Sequence, residues 1–183
     1  MSNLRLIKQV DVTTPANRIL VTDVFSEDYD VYCVQFFGTT AGSQRENNSF
    51  DMRLIDNVNQ EIVGSNYDNK MIFFRGVVDT HIEIGGANRD DFAIFYHDNS
   101  AQNGLGNATL WIFNPFASDK YTYYIQQTSA HMSYTSTNAI PNITKGLGCL
   151  KEQRSITGFS FTNRDSYTIA TGTFKTYGLR IDT

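Results

Sequence analysis

In FDMRLID, Phe50 to Asp56, the apolar residues Phe50, Met52 and Leu54 alternate with Asp51 and Arg53. Successive side chains leave a strand on opposite sides, so a period of two marks a strand with one face turned to a core. Strand patterns of varying regularity recur in LRLIKQVDV (Leu4 to Val12), RILVTDVF (Arg18 to Phe25), KMIFFRGV (Lys70 to Val77) and THIEIG (Thr80 to Gly85). Four more are DFAIFYH (Asp91 to His97), ATLWIFNPF (Ala108 to Phe116), KYTYYIQQTS (Lys120 to Ser129) and SITGFSFT (Ser155 to Thr162). DVYCVQFFG, Asp30 to Gly38, is apolar on both faces and predicts a central strand covered on both sides.

The joints between these runs, among them GTTAGSQRENNS, GSNYDNK, GGANRDD and HDNSAQNGLGN, are rich in residues that accept positive φ or build side-chain turns. Short strands separated by such joints indicate a sandwich or barrel. Only Asp23 to Tyr29 reads as a short helical turn, and Pro141, Gly146 and Gly148 break any helix across residues 138 to 150. No internal repeat or long linker divides the chain. The prediction is all-β: a single antiparallel jelly-roll-like β-sandwich of about ten strands over residues 1–183. In such a fold the first and last strands share a sheet. The closing run GTFKTYGLRIDT is expected to seal it with Tyr177, Leu179 and Ile181 facing the core, and its removal to unfold the domain.

Composition narrows the functional classes. Hydrophobic residues are 40% and charged residues 19% of the chain, which excludes a disordered polyelectrolyte. The formal charge of −4, without a basic patch, disfavours a nucleic-acid partner. No apolar run approaches 18 residues, so no membrane-spanning helix is expected, and no signal-peptide pattern opens the chain. Cys33 and Cys149 sit in apolar surroundings and read as free buried thiols.

Chemistry-bearing constellations are few. His81 and Glu83 share a strand face and form two of the three or four ligands a metal needs, against a reading as a solvated surface. Glu27, Asp28 and Asp30, and separately Asp90 and Asp91, are carboxylate clusters of the type that holds calcium or serves a glycosidase, or that simply solvates a loop. No nucleophile elbow, zincin helix or P-loop is present, so neither a cofactor nor catalysis is expected. Trp111 is placed in a core or interface. Tyr124 and Tyr134, with Thr, Ser and Gln neighbours, are the aromatic residues expected at the surface, where they would form a sugar platform. Tyr67, Leu105 and Phe116 are loop residues suited either to an interface or to packing under their own loops.

Three segments, LWIFNPFASDKYTYYIQQTS, TKGLGCLKEQRSITGFSF and GTFKTYGLRI, together with the opening SNLRLIK and VTDVFSEDYD, carry a resemblance. In this order they resemble small virion structural proteins of tailed bacteriophages, of the marine cyanophage type. The similarity spans nearly the whole chain and is weakest over residues 56 to 107. The resemblance implies a jelly-roll-like subunit that decorates the capsid as a cement protein or belongs to the tail, neck or baseplate. It also implies no enzyme activity and no cofactor. Partners would be copies of itself and the major capsid or tail proteins, in particles assembled in the bacterial host cytoplasm. A carbohydrate-binding module for host-surface glycans is the alternative, and a hydrolase built on Glu27, Asp28 and Asp30 a distant third.

Overall fold

A computed structural model describes residues 3–41, 48–76, 81–97, 105–135, 138–163 and 168–180. These segments form twelve strands and no helix. In chain order they are β1 (Leu4–Val12), β2 (Arg18–Val21), β3 (Val31–Ala41), β4 (Asn48–Asp56), β5 (Tyr67–Arg75) and β6 (His81–Arg89). The remaining six are β7 (Phe92–His97), β8 (Leu105–Phe113), β9 (Tyr121–Thr135), β10 (Asn138–Gln153), β11 (Ile156–Asn163) and β12 (Thr168–Leu179).

All pairings are antiparallel, and the strands divide into two sheets. One sheet runs β1-β12-β3-β8-β9-β10-β5-β6 and the other β2-β11-β4-β7. The pairs β1/β12, β2/β11, β3/β8 and β4/β7 are nested, as when one long hairpin ribbon is rolled so that its halves alternate between two sheets. That is the strand order of a jelly roll. The β5–β6 and β9–β10 hairpins are inserted into this ribbon and join the larger sheet beyond β8, doubling its width.

The inward faces of the two sheets meet in one apolar cluster. Phe36 of β3 lies 4.6 Å from Phe174 of β12, 5.1 Å from Phe161 of β11 and 5.8 Å from Phe50 of β4, measured between ring centroids. A second aromatic knot joins the inserted strands to β7: Phe92 is 4.3 Å from Tyr124 and 4.6 Å from Tyr67. Gly148 makes this possible. A Cβ there would lie 2.3 Å from the Tyr124 ring and 3.0 Å from Phe92, so only glycine lets the rings cross β10.

Several sequence expectations are corrected. Residues 138–153 form the longest strand, β10, despite Pro141 and two glycines. The Pro141 carbonyl accepts from the Gly76 amide on the β5 side, just past the last β10–β5 pair, Asn142 with Arg75. The nitrogen of Pro141 points the same way, so its missing N–H removes no bond to β9. Asp23 to Tyr29 forms turns rather than a helical turn, and Asp23 has φ of 57°. The closing strand faces the other way from the prediction: Phe174, Thr176 and Gly178 are buried, while Tyr177 and Leu179 lie outward and Ile181 falls outside the described residues. The ring of Phe174 decides it, because one aromatic in the central knot outweighs two half-covered residues. Finally, β3 is central within its sheet, yet among the described residues no second layer shields its outer face, where Phe37 is 51% exposed.

Candidate functional site

The outer face of the eight-stranded sheet carries the broadest exposed apolar surface among the described residues. The strand registers align its side chains in rows across the strands. One row runs Leu6, Tyr177, Cys33, Trp111, Ile125 and Leu147. The next runs Leu4, Leu179, Val31, Phe113, Tyr123 and Cys149. Six strands spaced by ~4.8 Å make this belt about 25 Å wide. Leu147 is 60% exposed, Leu6 49%, and Ile125 and Tyr123 48% each. Single exposed apolar residues are ordinary, but a contiguous band this wide is a candidate interaction surface.

Toward the other end of the strands the character changes. The following row is Lys175, Gln35, Thr109, Gln127 and Lys145, and beyond it lie Phe37, Asn107, Ser129, Ile143 and Phe74. Between the two zones Trp111, Thr109, Gln127 and Lys145 line a groove of about 780 Å³. A smaller depression of about 390 Å³ sits at the β10–β5–β6 end of the belt, beside Tyr123, Leu147 and Cys149.

The two thiols are unpaired; Cys33 is buried and Cys149, against expectation, only partly so. Burial pushes both above the ordinary thiol range, which makes them weak nucleophiles at neutral pH.

The residues that the sequence marks as ligands or acids are engaged by other partners or exposed, and only Asp90 and Asp91 stay together, around Arg53 in a pocket they share with Asp51. The His81 Nε2 to Glu83 Oε1 distance is 4.0 Å on an exposed face. Glu83 is occupied instead by Lys70 at 3.0 Å, whose hydrogen bond and charge hold the Glu83 carboxyl below its usual range. Asp28 accepts from the Ser26 hydroxyl at 2.9 Å, and Glu27 and Asp30 are exposed around it. Asp90 pairs with Arg53 at 3.1 Å, while buried Asp91 lies 3.5 Å from Arg89. Among the described residues no three potential ligands converge on one point.

The aromatic expectations fare unevenly. Tyr124 is buried, not exposed: it lies under Phe92, and desolvation drives its phenol far above the usual range. Tyr67 is also buried, with its hydroxyl donating to the Ile62 carbonyl and accepting from the Leu54 amide. It serves the core, not an interface. Phe116 is partly covered in the β8–β9 turn, and the side chains of Leu105 and Tyr134 lie outside the described part of the structure. In YTYYIQQ, Tyr121, Tyr123 and Ile125 fall on one face and Tyr124 on the other, and it is the Tyr124 face, expected at the surface, that lies inside. Three apolar residues on one face were the available signal. The buried face of β9 is the more polar one, with Thr122, Gln126 and Thr128, and that inverts the usual inference.

No known protein-family profile matches the chain, and neither does any curated protein sequence. Among solved structures it is similar to the CBM2 module of the evolved Dit of Lactobacillus casei BL23 phage J-1. That match has 11% identity over 97% of this chain and 78% of the other, with a TM-score of 0.29. A chain of the infectious bursal disease virus Gx strain overlaps at 9% identity, over 98% of this chain and 39% of that one, with a TM-score of 0.22. The corresponding Gt strain gives 8%, 96%, 42% and 0.20. The matched chains come from a phage and a virus, and overlaps this loose carry no argument about what this chain binds or builds.

Proposed function

We propose that the protein is a non-enzymatic structural subunit of a tailed-phage virion, a capsid decoration (cement) or tail, neck or baseplate accessory protein. It attaches through the outer face of its eight-stranded sheet to copies of itself and to neighbouring virion proteins. The apolar belt carries this reading. Two rows of aliphatic and aromatic side chains, laid on a rigid sheet and left uncovered by the chain itself, form a surface that gains from burial. The sequence resemblance to small phage structural proteins points the same way. Repetition in a particle would turn a modest contact per subunit into a stable assembly.

Two measurements test it: light scattering of the purified protein across a concentration series, and co-sedimentation with phage particles or procapsids lacking it. Self-association, particle binding or both are expected. Leu147→Lys combined with Ile125→Lys removes them while leaving the melting temperature within a few degrees, because both side chains already face water. A wild-type protein that stays monomeric and ignores particles refutes the assembly role.

A further inference from the structure

We propose that the groove beside Trp111 is a binding site for an acidic oligosaccharide, a function beyond assembly that shares Trp111 and Ile125 with the belt. Trp111 on β8 presents a partly exposed indole at the centre of the sheet face, remote from both edges. A flat apolar ring suits the C–H face of a pyranose. Thr109, Gln127 and Lys145 stand in register on three adjacent strands along the ring's side. None of them makes a side-chain hydrogen bond among the described residues, so their donors and acceptors are directed to solvent. Asn107 is held in place by the Ser129 hydroxyl, which donates to its Oδ1 at 3.0 Å. Its amide N–H₂ is left to donate.

Strands spaced by ~4.8 Å set these polar groups at close to the rise of one unit in an extended glycan. A saccharide crossing the strands would meet one hydrogen-bonding side chain per sugar. An apolar ring combined with amides and a hydroxyl is poor chemistry for a protein face, which would leave those polar groups unpaired. A single lysine is also far too little charge for nucleic acid. The sign of the ligand follows from the lining. Among the described residues Lys145 is its one ionisable side chain and no carboxylate lines it, and the nearest on its row, Glu83, is engaged by Lys70. A uronic acid carboxylate complements that cation.

Trp111 is the sole tryptophan of the chain, so its emission reports on this groove alone. The probes are hexamers of galacturonate and of alginate, with cellohexaose as the neutral control, followed by fluorescence and calorimetry. Saturable binding of an acidic hexamer with a change in emission is expected. Lys145→Ala should weaken it about tenfold, as for a charge-assisted hydrogen bond, without affecting the neutral control. Gln127→Ala should weaken acidic and neutral hexamers alike, and Trp111→Ala should abolish calorimetric binding. Gln127 and Lys145 are exposed, so these variants fold even if the tryptophan variant does not. Silence toward both acidic hexamers, or binding indifferent to Gln127→Ala and Lys145→Ala, overturns the site. Equal affinity for cellohexaose overturns its acidic preference. The Leu147→Lys, Ile125→Lys pair that tests assembly has one member outside the groove. Leu147→Lys alone should impair association and spare sugar binding, so failure of either function is distinguishable from failure of the other.

Discussion

The jelly-roll body and the four inserted strands are built on opposite principles, although they share one sheet. In the body, β1, β12, β3 and β8 face β2, β11, β4 and β7 across phenylalanine rings, and nearly every inward residue is apolar. In the extension, β9, β10, β5 and β6 have few strands opposite them beyond β7. Their inward positions include Asn69, Gln126, Thr128, Asn142 and Thr144, all 5% exposed or less. The body is held by packing. The extension is held by long ladders and one aromatic knot at Phe92, and it buries the Thr128 and Thr144 hydroxyls without a partner among the described residues. Stability in a protein is seldom uniform, and the extension is the part expected to open first.

The most damaging substitution should therefore lie in the body. Phe36 contacts three other phenylalanines on three strands and is 1% exposed. Phe36→Ala removes a ring that no neighbour can replace, and large-to-small changes of this kind cost about 3–5 kcal/mol. Urea unfolding should show the midpoint falling for the whole molecule, with amide exchange accelerated in both sheets. Loss of protection confined to β1 and β12 would mean that the body is not one cooperative unit.

A change in the extension should have the opposite sign. Thr144 is fully buried, pairs across the sheet with Thr128 and Phe73, and its hydroxyl has no hydrogen-bond partner among the described residues. Burying an unpaired hydroxyl costs roughly 1–3 kcal/mol, and valine has the same shape without that cost. Thr144→Val should raise stability by about 1 kcal/mol, read as slower exchange in β9, β10 and β5. A loss of stability would show that the hydroxyl is satisfied and that the extension is more completely packed than its polarity indicates.

The same contrast explains what could be read in the sequence. The body strand FDMRLID alternates in sequence with Phe50, Met52 and Leu54 turned to the rings, so its existence and its orientation were legible, although Asp51 on its other face is buried too; SITGFSFT was legible as a strand. The extension breaks that rule. In β9 the buried face bears Thr122, Gln126 and Thr128 while Tyr123 and Ile125 look outward, so alternation reveals a strand but misassigns its inside. In β10, Gly146 and Gly148 read as breakers, although they leave room for Gln126 and Tyr124 on the neighbouring strand. Room for a neighbour is a tertiary fact that no local pattern records. The apolar belt was hidden for a related reason. Its residues come from six strands, and only the cross-strand register shows that Leu6, Trp111 and Leu147 lie in one row.

The smallest effect belongs to the outer margin of the extension, where electrostatics replaces packing. Asp68 of β5 accepts from the backbone N–H of Asn88 in β6 at 2.8 Å and from the ammonium of Lys151 in β10 at 2.9 Å. Lys151 in turn reaches the Asn88 side chain at 2.6 Å, and Asn88 itself has φ of 58°, a left-handed conformation that asparagine tolerates. The carboxylate thus ties three strands together where the β5–β6 register shifts. The hydrogen bond from Lys151 is the main reason the Asp68 carboxyl lies below its ordinary value of 3.8, and the Asn88 amide adds to it. A group depressed on folding adds stability above its unfolded value and loses it as pH falls through the folded one. The advantage of the wild type over Asp68→Asn should therefore be constant near neutrality and vanish below 3.8. Because the pair is solvent-exposed, added salt should shrink it further. Amide exchange of β6, measured against pH for both proteins, reads this directly. A difference that persists in acid would mean that the side chain acts through its shape, and that the edge of the extension is packed after all.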